Sequence, residues 1–258
     1  METDQPFFIW EGVYREWNEA PKEGRGFASP KWLASQVSEV ESQLNGAEES
    51  HDLYASFSRD SVLAAVTATL WPRKSRVKIL DFGGGLATTF FSLIGSLPDP
   101  SRVEFHVVEN SIMCDAGERL FVHEHNLKFH TCIPVEPARF DVIHAARSLQ
   151  YVEDWLGLLR EFSHRRAEYV IFVGVLAGEI EPFVTVQNYY GSKIPVRFLN
   201  LDDFVQEMKN LEYQLLYKTR HISTRLGAEG VLPMGNFSKE HRIEYPWQLI
   251  FRREQRCD

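Results

Sequence analysis

The stretch VKILDFGGGLATTF, residues 77 to 90, contains an apolar run, an acid, three consecutive glycines and residues suited to opening a helix. An apolar run that ends in glycines predicts a buried strand and then a tight turn whose backbone approaches a ligand closely. The free N–H groups at the start of the next helix face the same place. The stretch therefore predicts a strand, loop and helix that bind a small ligand at the end of the strand.

Strand and helix signals alternate around this unit, which predicts a mostly parallel α/β sheet with helices on its faces. Further strands are predicted at residues 103–110, 127–130, 140–147 and 167–176. Helices are predicted at residues 59–71, from residue 86 onward, and at 114–125, 153–166 and 200–211. Two strands, 212–223 and 245–253, follow without a helix between them. We therefore expect an antiparallel strand at the C-terminal end.

The chain of 258 residues fits one large domain with appendages. Residues 1–56 are rich in aromatics and turn formers and then become polar, which predicts an N-terminal arm or lid with short helices. The ligand-binding domain is predicted at residues 57–258. Within it, the segment of about 177–200 has too many turn formers and aromatics for a plain connection, which indicates a functional insertion.

Charge and hydropathy restrict the partners and the location. The net charge of −8 argues against a nonspecific nucleic-acid surface, which needs a basic footprint, although it leaves room for a small RNA-binding patch. No apolar run reaches the roughly 20 residues that span a bilayer, and the N-terminus lacks the features of a signal peptide. We therefore expect a cytoplasmic protein without a membrane span.

The metal-binding residue types are scattered. Three widely spaced cysteines, with no CxxC pair, predict reduced structural thiols. His123 and His125 would point to different faces of a helix, so they do not form a metal site with Glu124. No metal is predicted.

The glycine loop fits some nucleotide ligands better than others. A P-loop is excluded because no Gly-Lys-Ser/Thr follows, and the dinucleotide fingerprint fails where Thr88 replaces its third glycine. The carboxylate of Asp81 would face a pyrophosphate poorly and suits a ligand with positive charge. S-adenosylmethionine carries an ammonium and a sulfonium and no phosphate. Glu109, at the end of the next strand, is placed to accept hydrogen bonds from two ribose hydroxyls.

The alternative for these two acids is structural. Asp81 would then serve as a helix cap, and Glu109 as a solvated strand end. Both alternatives stay open at this point.

From about residue 59 to 252 the chain resembles a class I, Rossmann-like methyltransferase. The resemblance rests on DFGGG at residues 81–85, with Ala87 at the last glycine position of the usual DxGxGxG, and on the turn LQYV at 149–152. It implies a three-layer sandwich with a mostly parallel seven-stranded sheet, an antiparallel C-terminal strand and an N-terminal helical arm. The predicted cofactor is S-adenosylmethionine, bound by Asp81, Phe82, Gly83, Gly84, Gly85, Glu109, Asn110, His130, Arg147 and Ser148.

A narrower resemblance runs nearly end to end. WEGVYREWNEAP, LDFGGG, VVEN, SLQYVEDW, VTVQNYY and YPWQLIFRR are similar to segments of a bacterial methyltransferase family that is often found near surface-polysaccharide genes. The activity of that family is itself largely inferred. The departures are Trp10, where Phe is common, and the pair Asn188 and Tyr189. The resemblance implies a small-molecule or saccharide acceptor.

The chemistry implied is transfer of a methyl group by in-line displacement, which needs alignment and exclusion of water. A base is needed only if the acceptor is a hydroxyl or a protonated amine. The predicted catalytic residues are Gln150, Tyr151 and His221, because ligands of open α/β sheets lie beyond the carboxyl ends of the strands. The alternatives are that Gln150 and Tyr151 only start a helix and that His221 is solvated. His144, inside an apolar strand, is predicted to be a core histidine.

The predicted substrate-binding residues are Tyr14, Trp17, Gln187, Asn188 and Tyr189. The N-terminal aromatics leave two alternatives, since they either cover the cofactor or pack an extra helix on the sheet edge. Deletion of residues 1–30 separates the two: an inactive but folded protein favours the first, and an insoluble protein favours the second.

Three functions are compatible with these patterns. The first is a methyltransferase, the second a noncatalytic protein that binds S-adenosylmethionine or S-adenosylhomocysteine, and the third a nicotinamide-dependent oxidoreductase, which the position of Asp81 disfavours.

Overall fold

A seven-stranded sheet between two layers of helices forms the centre of the molecule in the computed structural model, which describes residues 7–50, 61–222, 224–225 and 228–254. The strands are β1 Trp10–Tyr14, β2 Val77–Phe82, β3 Val103–Val108, β4 Leu127–His130, β5 Val142–Ala146, β6 Tyr169–Val175, β7 Ala177–Gly178, β8 Phe183–Tyr189, β9 Ser192–Asn200, β10 Tyr213–Arg220, β11 Thr224–Arg225, β12 Ala228–Glu229 and β13 Trp247–Arg253. The helices are α1 Pro30–Ser50, α2 Ser61–Leu70, α3 Thr88–Gly95, α4 Ser111–Leu120, α5 Trp155–His164 and α6 Leu201–Asn210.

The order of the strands in the large sheet is β10-β13-β6-β5-β2-β3-β4. β13 runs antiparallel to both of its neighbours, and the pairs formed by β2 to β6 are parallel. The carboxyl ends of β2, β3, β5, β6 and β10 therefore lie at one edge. This arrangement confirms the predicted α/β fold with an antiparallel C-terminal strand.

The two faces of the sheet bury different side chains because successive residues of a strand point to opposite sides. Val77 and Ile79 of β2 pack in the cluster that includes α1 to α4. Leu80, the residue after Ile79, points to the other face and packs in the cluster that includes α5 and α6. Both faces of the central strands are covered, which explains why β6 is an unbroken apolar run.

The N-terminal segment differs from the predicted arm of short helices. Its described part contains strand β1, two 3-10 helices and the 21-residue helix α1. β1 pairs antiparallel with β8, so it joins a second sheet of order β1-β8-β9-β7. Local sequence could not show this strand because its pairing partner lies 170 or more residues further along the chain.

Helix α4 also departs from prediction, since it spans residues 111–120 instead of 114–125. Asn110 explains its earlier start: the side-chain oxygen of Asn110 accepts a hydrogen bond from the N–H of Met113. The predicted helix at 59–71 begins outside the described residues and is seen from residue 61.

Two of the three cysteines lie in the described part of the chain. Cys114 is buried and Cys132 is exposed, and both are free thiols, whereas Cys257 lies outside the described residues.

In the described part of the chain, no helix is both long and apolar enough to cross a membrane.

The antiparallel strand β13 contributes strongly to stability through Phe251. This side chain has no exposed surface, and its ring lies 6.0 Å from the rings of both Phe172 and Phe204. We expect Phe251→Ala to lower the free energy of unfolding by about 3–5 kcal/mol, the usual effect of removing a buried aromatic ring. Urea unfolding followed by circular dichroism measures this.

The control is Tyr217→Ala on β10, a strand that pairs with β13, because the side chain of Tyr217 is 46% exposed. Its effect should stay below about 1 kcal/mol. Equal losses in the two variants would contradict the placement of β13 in the core.

Candidate functional site

The loop after β2 is held in a conformation that glycine adopts readily. Gly83 and Gly85 have φ angles of +70° and +57°. A Cβ atom at residue 83 would lie 2.4 Å from Cβ of Ser148, so the loop packs directly on the segment after β5. At residue 85 no heavy atom of the described residues lies within 4 Å of the corresponding position, which leaves space beside the backbone.

Asp81 lies beneath this loop and is completely buried. Its Oδ1 accepts a hydrogen bond from Nδ1 of His144 at 2.8 Å, and the two residues are register partners in β2 and β5. A Cβ atom at Gly84 would lie 2.5 Å from Oδ2 of Asp81. Oδ2 makes no hydrogen bond within the described residues. Since a buried polar atom is costly when unpaired, Oδ2 is a site for a hydrogen-bond donor of a ligand.

His144 is buried, with 1% of its surface exposed, and its bond to Asp81 agrees with the predicted core role. Asp81 caps neither of the helices next to it, since the N-cap position of α3 is Ala87. The helix-cap alternative for Asp81 is therefore wrong.

Glu109 follows β3 at the same edge of the sheet. Its Oε2 accepts hydrogen bonds from the backbone N–H of Asn110 at 2.8 Å and from the side-chain amide of Asn110 at 3.0 Å. Burial raises the pKa of the Glu109 carboxyl, while the N–H groups of Asn110 and Gly85 act in the opposite direction. The contact with Gly85 brings the two predicted cofactor segments together. Glu109 is thus an anchored acid rather than a solvated strand end.

His130, at the end of β4, belongs to a chain of hydrogen bonds. Its Nε2 lies 2.9 Å from Nδ1 of His106, and the two rings stack with an interplanar angle of 8°. Nε2 of His106 lies 3.1 Å from a carboxylate oxygen of Glu104, which Lys128 contacts at 2.8 Å. Because a carboxylate only accepts, Nε2 of His106 is the donor, and His130 donates to His106. Glu104 therefore sets the tautomers of both histidines.

The segment after β5 contains several predicted residues. Oγ of Ser148 donates to the carbonyl of Phe82 at 2.7 Å, and the ring of Phe82 packs at 5.7 Å on Phe162. Gln150 is only 5% exposed, and its Nε2 donates to the carbonyl of Arg147 at 3.0 Å. Oε1 of Gln150 is buried without a hydrogen-bond partner among the described residues. Like Oδ2 of Asp81, it can accept a hydrogen bond from a ligand.

Tyr151 and Gln187 connect this segment to the β8–β9 hairpin. Oε1 of Gln187 accepts two hydrogen bonds, from the hydroxyl of Tyr151 at 2.9 Å and from the indole N–H of Trp10 at 3.2 Å. The Trp10 ring also packs edge-on against Phe198 at 5.6 Å. Trp10 is 1% exposed and therefore has both a structural role and a place beside the site.

Phe27 covers the edge of the site. Its ring lies 4.7 Å from Tyr151, 5.4 Å from Trp32 and 5.7 Å from Tyr189. The carbonyl of Phe27 accepts a hydrogen bond from the side chain of Asn110 at 3.4 Å. One residue of the N-terminal segment therefore contacts three separate parts of the site.

Sequence reasoning did not assign Phe27 or Trp32 to the site, and the aromatic content of the N-terminal segment is the only signal for them in the sequence. Trp32 is buried and donates its indole N–H to the hydroxyl of Tyr189 at 2.9 Å. Burial raises the pKa of the Tyr189 phenol, and the bond from Trp32 acts against it. Asn188, the neighbouring predicted residue, instead donates to the carbonyl of Phe8 at 3.1 Å and ties the hairpin to the N-terminal segment.

Tyr14 and Trp17 lie apart from the other predicted substrate residues. They pack with Val184 and Val186 on one face of β8. Gln187 follows Val186 directly and points to the opposite face. The structure therefore does not bring Tyr14 and Trp17 together with Gln187, and their substrate contact stays a prediction.

His221 follows β10 at the carboxyl edge, and its backbone N–H donates to the carbonyl of Pro246 at 2.8 Å. Its ring lies near Gly174 of β6, because a Cβ atom there would be 3.5 Å from Cδ2 of His221. Arg147 contacts the same place, with Cγ at 2.6 Å from that position. His221 and Arg147 thus flank one point on β6. In the described segments, no group of three or more His, Cys, Asp or Glu residues is arranged to hold a metal ion.

Comparison with known proteins supports the fold. No protein-family model matches the chain, and no curated protein matches it. A Haloferax volcanii protein assigned as a methyltransferase, solved in complex with the activator Trm112, is 11% identical, with a TM-score of 0.52 over 88% of this chain and 96% of that chain. A SAM-dependent methyltransferase from Methanosarcina mazei is 12% identical, with a TM-score of 0.51 over 70% of this chain and 93% of that chain.

A Listeria monocytogenes protein assigned as an S-adenosylmethionine-dependent methyltransferase is 10% identical, with a TM-score of 0.50 over 75% of this chain and all of that chain. At these identities the likeness concerns the fold alone. The chain therefore has the Rossmann-like fold of the class I methyltransferases.

The pair His106 and His130 predicts a dependence of stability on pH. Burial lowers the pKa of His106 from 6.5 to about 4, while its hydrogen bond to Glu104 acts in the opposite direction. The unfolded chain therefore takes up a proton between pH 6.5 and about 4 that the folded chain does not. The contribution of neutral His106 to the free energy of unfolding is therefore complete above pH 6.5, and it is lost as the pH falls toward about 4.

We expect the advantage of the wild type over His106→Gln, measured as free energy of unfolding, to shrink by about 3 kcal/mol between neutral pH and pH about 4. Urea unfolding at a series of pH values measures it. His123→Gln, at an exposed histidine, is the control for the loss of a histidine side chain. A constant difference for His106→Gln would show that His106 is not held neutral.

Proposed function

We propose that this protein is an S-adenosylmethionine-dependent methyltransferase that acts on a small-molecule or saccharide acceptor. One observation carries the proposal: a buried aspartate, a glycine loop and an anchored glutamate meet at the carboxyl edge of a sheet with this fold. Asp81 lies under Gly84, and the backbone N–H of Gly85 acts to lower the pKa of Glu109.

The residues present fit this cofactor. Oδ2 of Asp81 is a buried acceptor without a hydrogen-bond partner among the described residues and suits a cationic donor. The described residues also leave space for a ligand beside the backbone of Gly85. One oxygen of Glu109 is anchored by Asn110, which orients the carboxylate to accept from the ribose hydroxyls. A pyrophosphate is disfavoured here, because the buried Asp81 and the half-buried Glu109 would both repel it. This is the reason for rejecting a nicotinamide oxidoreductase.

When bound, S-adenosylmethionine supplies a methyl group on a sulfonium, which is already an activated leaving group. The chain then has to align the acceptor and exclude water. Phe27 excludes water, because it closes the space between Asn110, Tyr151 and Tyr189.

Two groups after β5 are suited to positioning an acceptor hydroxyl. The hydroxyl of Tyr151 donates a hydrogen bond to Gln187, and a phenol oxygen can accept one as well. Oε1 of Gln150 is an acceptor without a partner in the described structure. We propose that these oxygens accept the hydrogen bond of the attacking group. His221 is the proposed base when the acceptor must lose a proton.

A protein that binds the cofactor without catalysis is the second candidate. The observation that favours it is that Tyr151, Gln187 and Trp10 bond to one another, which is compatible with a purely structural role. It predicts binding of S-adenosylhomocysteine and no methyl transfer. The narrower resemblance to a family near surface-polysaccharide genes, and a cytoplasmic location, remain predictions.

Glu109→Gln tests the cofactor site. Because it removes a charged acceptor of the ribose hydroxyls, we expect the Kd for S-adenosylhomocysteine to rise about 10- to 100-fold. Calorimetric titration measures it. Glu118→Gln, at an exposed glutamate of α4, is the control and should leave the Kd within about twofold. Unchanged binding in Glu109→Gln, or no binding by the folded wild type, would refute the assigned cofactor site.

Tyr151→Phe tests the acceptor site separately. We expect methyl transfer to slow about 10- to 100-fold, as for the loss of one hydrogen bond to the attacking group at a cost of about 1–3 kcal/mol, while S-adenosylhomocysteine binds as before. Products are detected by mass spectrometry from sugars, nucleotide sugars and hydroxylated small molecules.

The control is Tyr217→Phe, at an exposed tyrosine of β10. A full rate in Tyr151→Phe would remove Tyr151 from the mechanism. Binding of S-adenosylhomocysteine without transfer by the wild type to any acceptor would favour the noncatalytic candidate.

A further inference from the structure

Arg147 has a backbone conformation that is unfavourable for an arginine. Its φ angle is +54°, in the left-handed region that costs a residue with a Cβ atom roughly 1–2 kcal/mol. Its N–H donates to the carbonyl of Val173 at 2.7 Å, which holds the backbone in place. The fold thus maintains an arginine where a glycine would be less strained.

The side chain of Arg147 has space because residue 174 is glycine. A Cβ atom at Gly174 would lie 2.6 Å from Cγ and 3.5 Å from Cδ of Arg147. Gly174 itself has a φ angle of +74°. Arg147, directly after β5, and Gly174, in β6, both have positive φ angles, and together they determine where the Arg147 side chain lies.

The sequence predicts Arg147 among the cofactor residues, but the direction of its side chain separates Arg147 from the others. Gly174 is in β6, and β6 neighbours β5 on the side opposite to β2 and β3. The methylenes of Arg147 therefore extend away from the glycine loop and Glu109. They extend toward His221, whose Cδ2 lies 3.5 Å from the same point on β6.

The charge of Arg147 is uncompensated in the described structure. The side chain is exposed, and no acid of the described segments forms an ion pair with it. Its positive charge also lowers the pKa of the Tyr189 phenol, against the larger effect of burial, so its field reaches the hairpin side of the site. In a chain with a net charge of −8, a free cation at this edge is a local feature that attracts an anion.

We propose that Arg147 determines specificity by binding an anionic group, a carboxylate or a phosphate, on the acceptor. This inference rests on the proposed function. The planar guanidinium can donate two parallel hydrogen bonds to either group. The anion anchors the acceptor over β6, between Arg147 and the hairpin, and leaves its nucleophilic atom to Gln150 and Tyr151.

The test uses the full chain and two anionic probes, inorganic phosphate and succinate, with succinamide as the neutral probe. Calorimetric titration of the protein saturated with S-adenosylhomocysteine should show binding of at least one anion and none of succinamide. Arg147→Gln should weaken that binding at least tenfold, and Arg147→Lys, which keeps the charge, should weaken it less. The stronger of the two probes distinguishes a phosphate from a carboxylate acceptor.

Arg160→Gln, at an exposed arginine of α5, is the matched control and should bind the anions as the wild type does. Titration of Arg147→Gln with S-adenosylhomocysteine should give the wild-type affinity. Loss of that affinity would overturn the proposal, because Arg147 would then hold the carboxylate of the cofactor. Equal anion binding in the wild type and Arg147→Gln, or no anion binding by the wild type, would also overturn it.

The same titrations separate this proposal from the proposed function. If S-adenosylhomocysteine does not bind the wild type, the assignment of the cofactor fails. The anion titrations of the wild type and Arg147→Gln, carried out without S-adenosylhomocysteine, would still report whether Arg147 binds an anion.

Discussion

The buried carboxylate of Asp81 is the constraint on which the rest of the site depends. A carboxylate without exposed surface is costly unless it is hydrogen-bonded, and His144 supplies that bond from the neighbouring strand. The bond requires Asp81 and His144 to be register partners, which they are. Gly84 then lies against the other carboxylate oxygen, where a larger residue would collide with it. The loop, the register of β2 with β5 and the ligand-binding edge of the sheet are therefore linked through one side chain.

The second sheet, of order β1-β8-β9-β7, also contributes side chains to the site. The amide oxygen of Gln187 accepts hydrogen bonds from Tyr151, after β5, and from Trp10, in β1. Phe27 adds contacts to Tyr151 and Tyr189. The N-terminal segment is consequently part of the wall of the site. Since these contacts depend on each other, a change in the hairpin or in β1 should reach the residues after β5.

The charges of the site are divided along the sheet. Acids lie toward β2 and β3, where Asp81 and Glu109 suit a cationic cofactor with ribose hydroxyls. Arg147, which forms no ion pair with an acid of the described segments, lies toward β6 and extends over Gly174. In-line transfer needs a donor and an acceptor on opposite sides of the moving group. The β2–β3 side of the site therefore favours a cationic ligand, and the β6 side favours an anionic one. The order of the strands, and not the composition of the chain, determines this division of charge.

The sequence by itself determined the layered α/β fold, the strand that ends in the glycine loop and the approach of Glu109 to that loop. These features depend on local periodicity and on the rule that parallel strands end at one edge, so short segments are enough to predict them. Tertiary structure alone decided that Trp10 starts a strand, that Phe27 covers the site, and that Tyr14 and Trp17 face away from Gln187. It also decided that Arg147 extends toward β6. Each of these depends on pairing or packing between residues far apart in the chain, which no local pattern of side chains records.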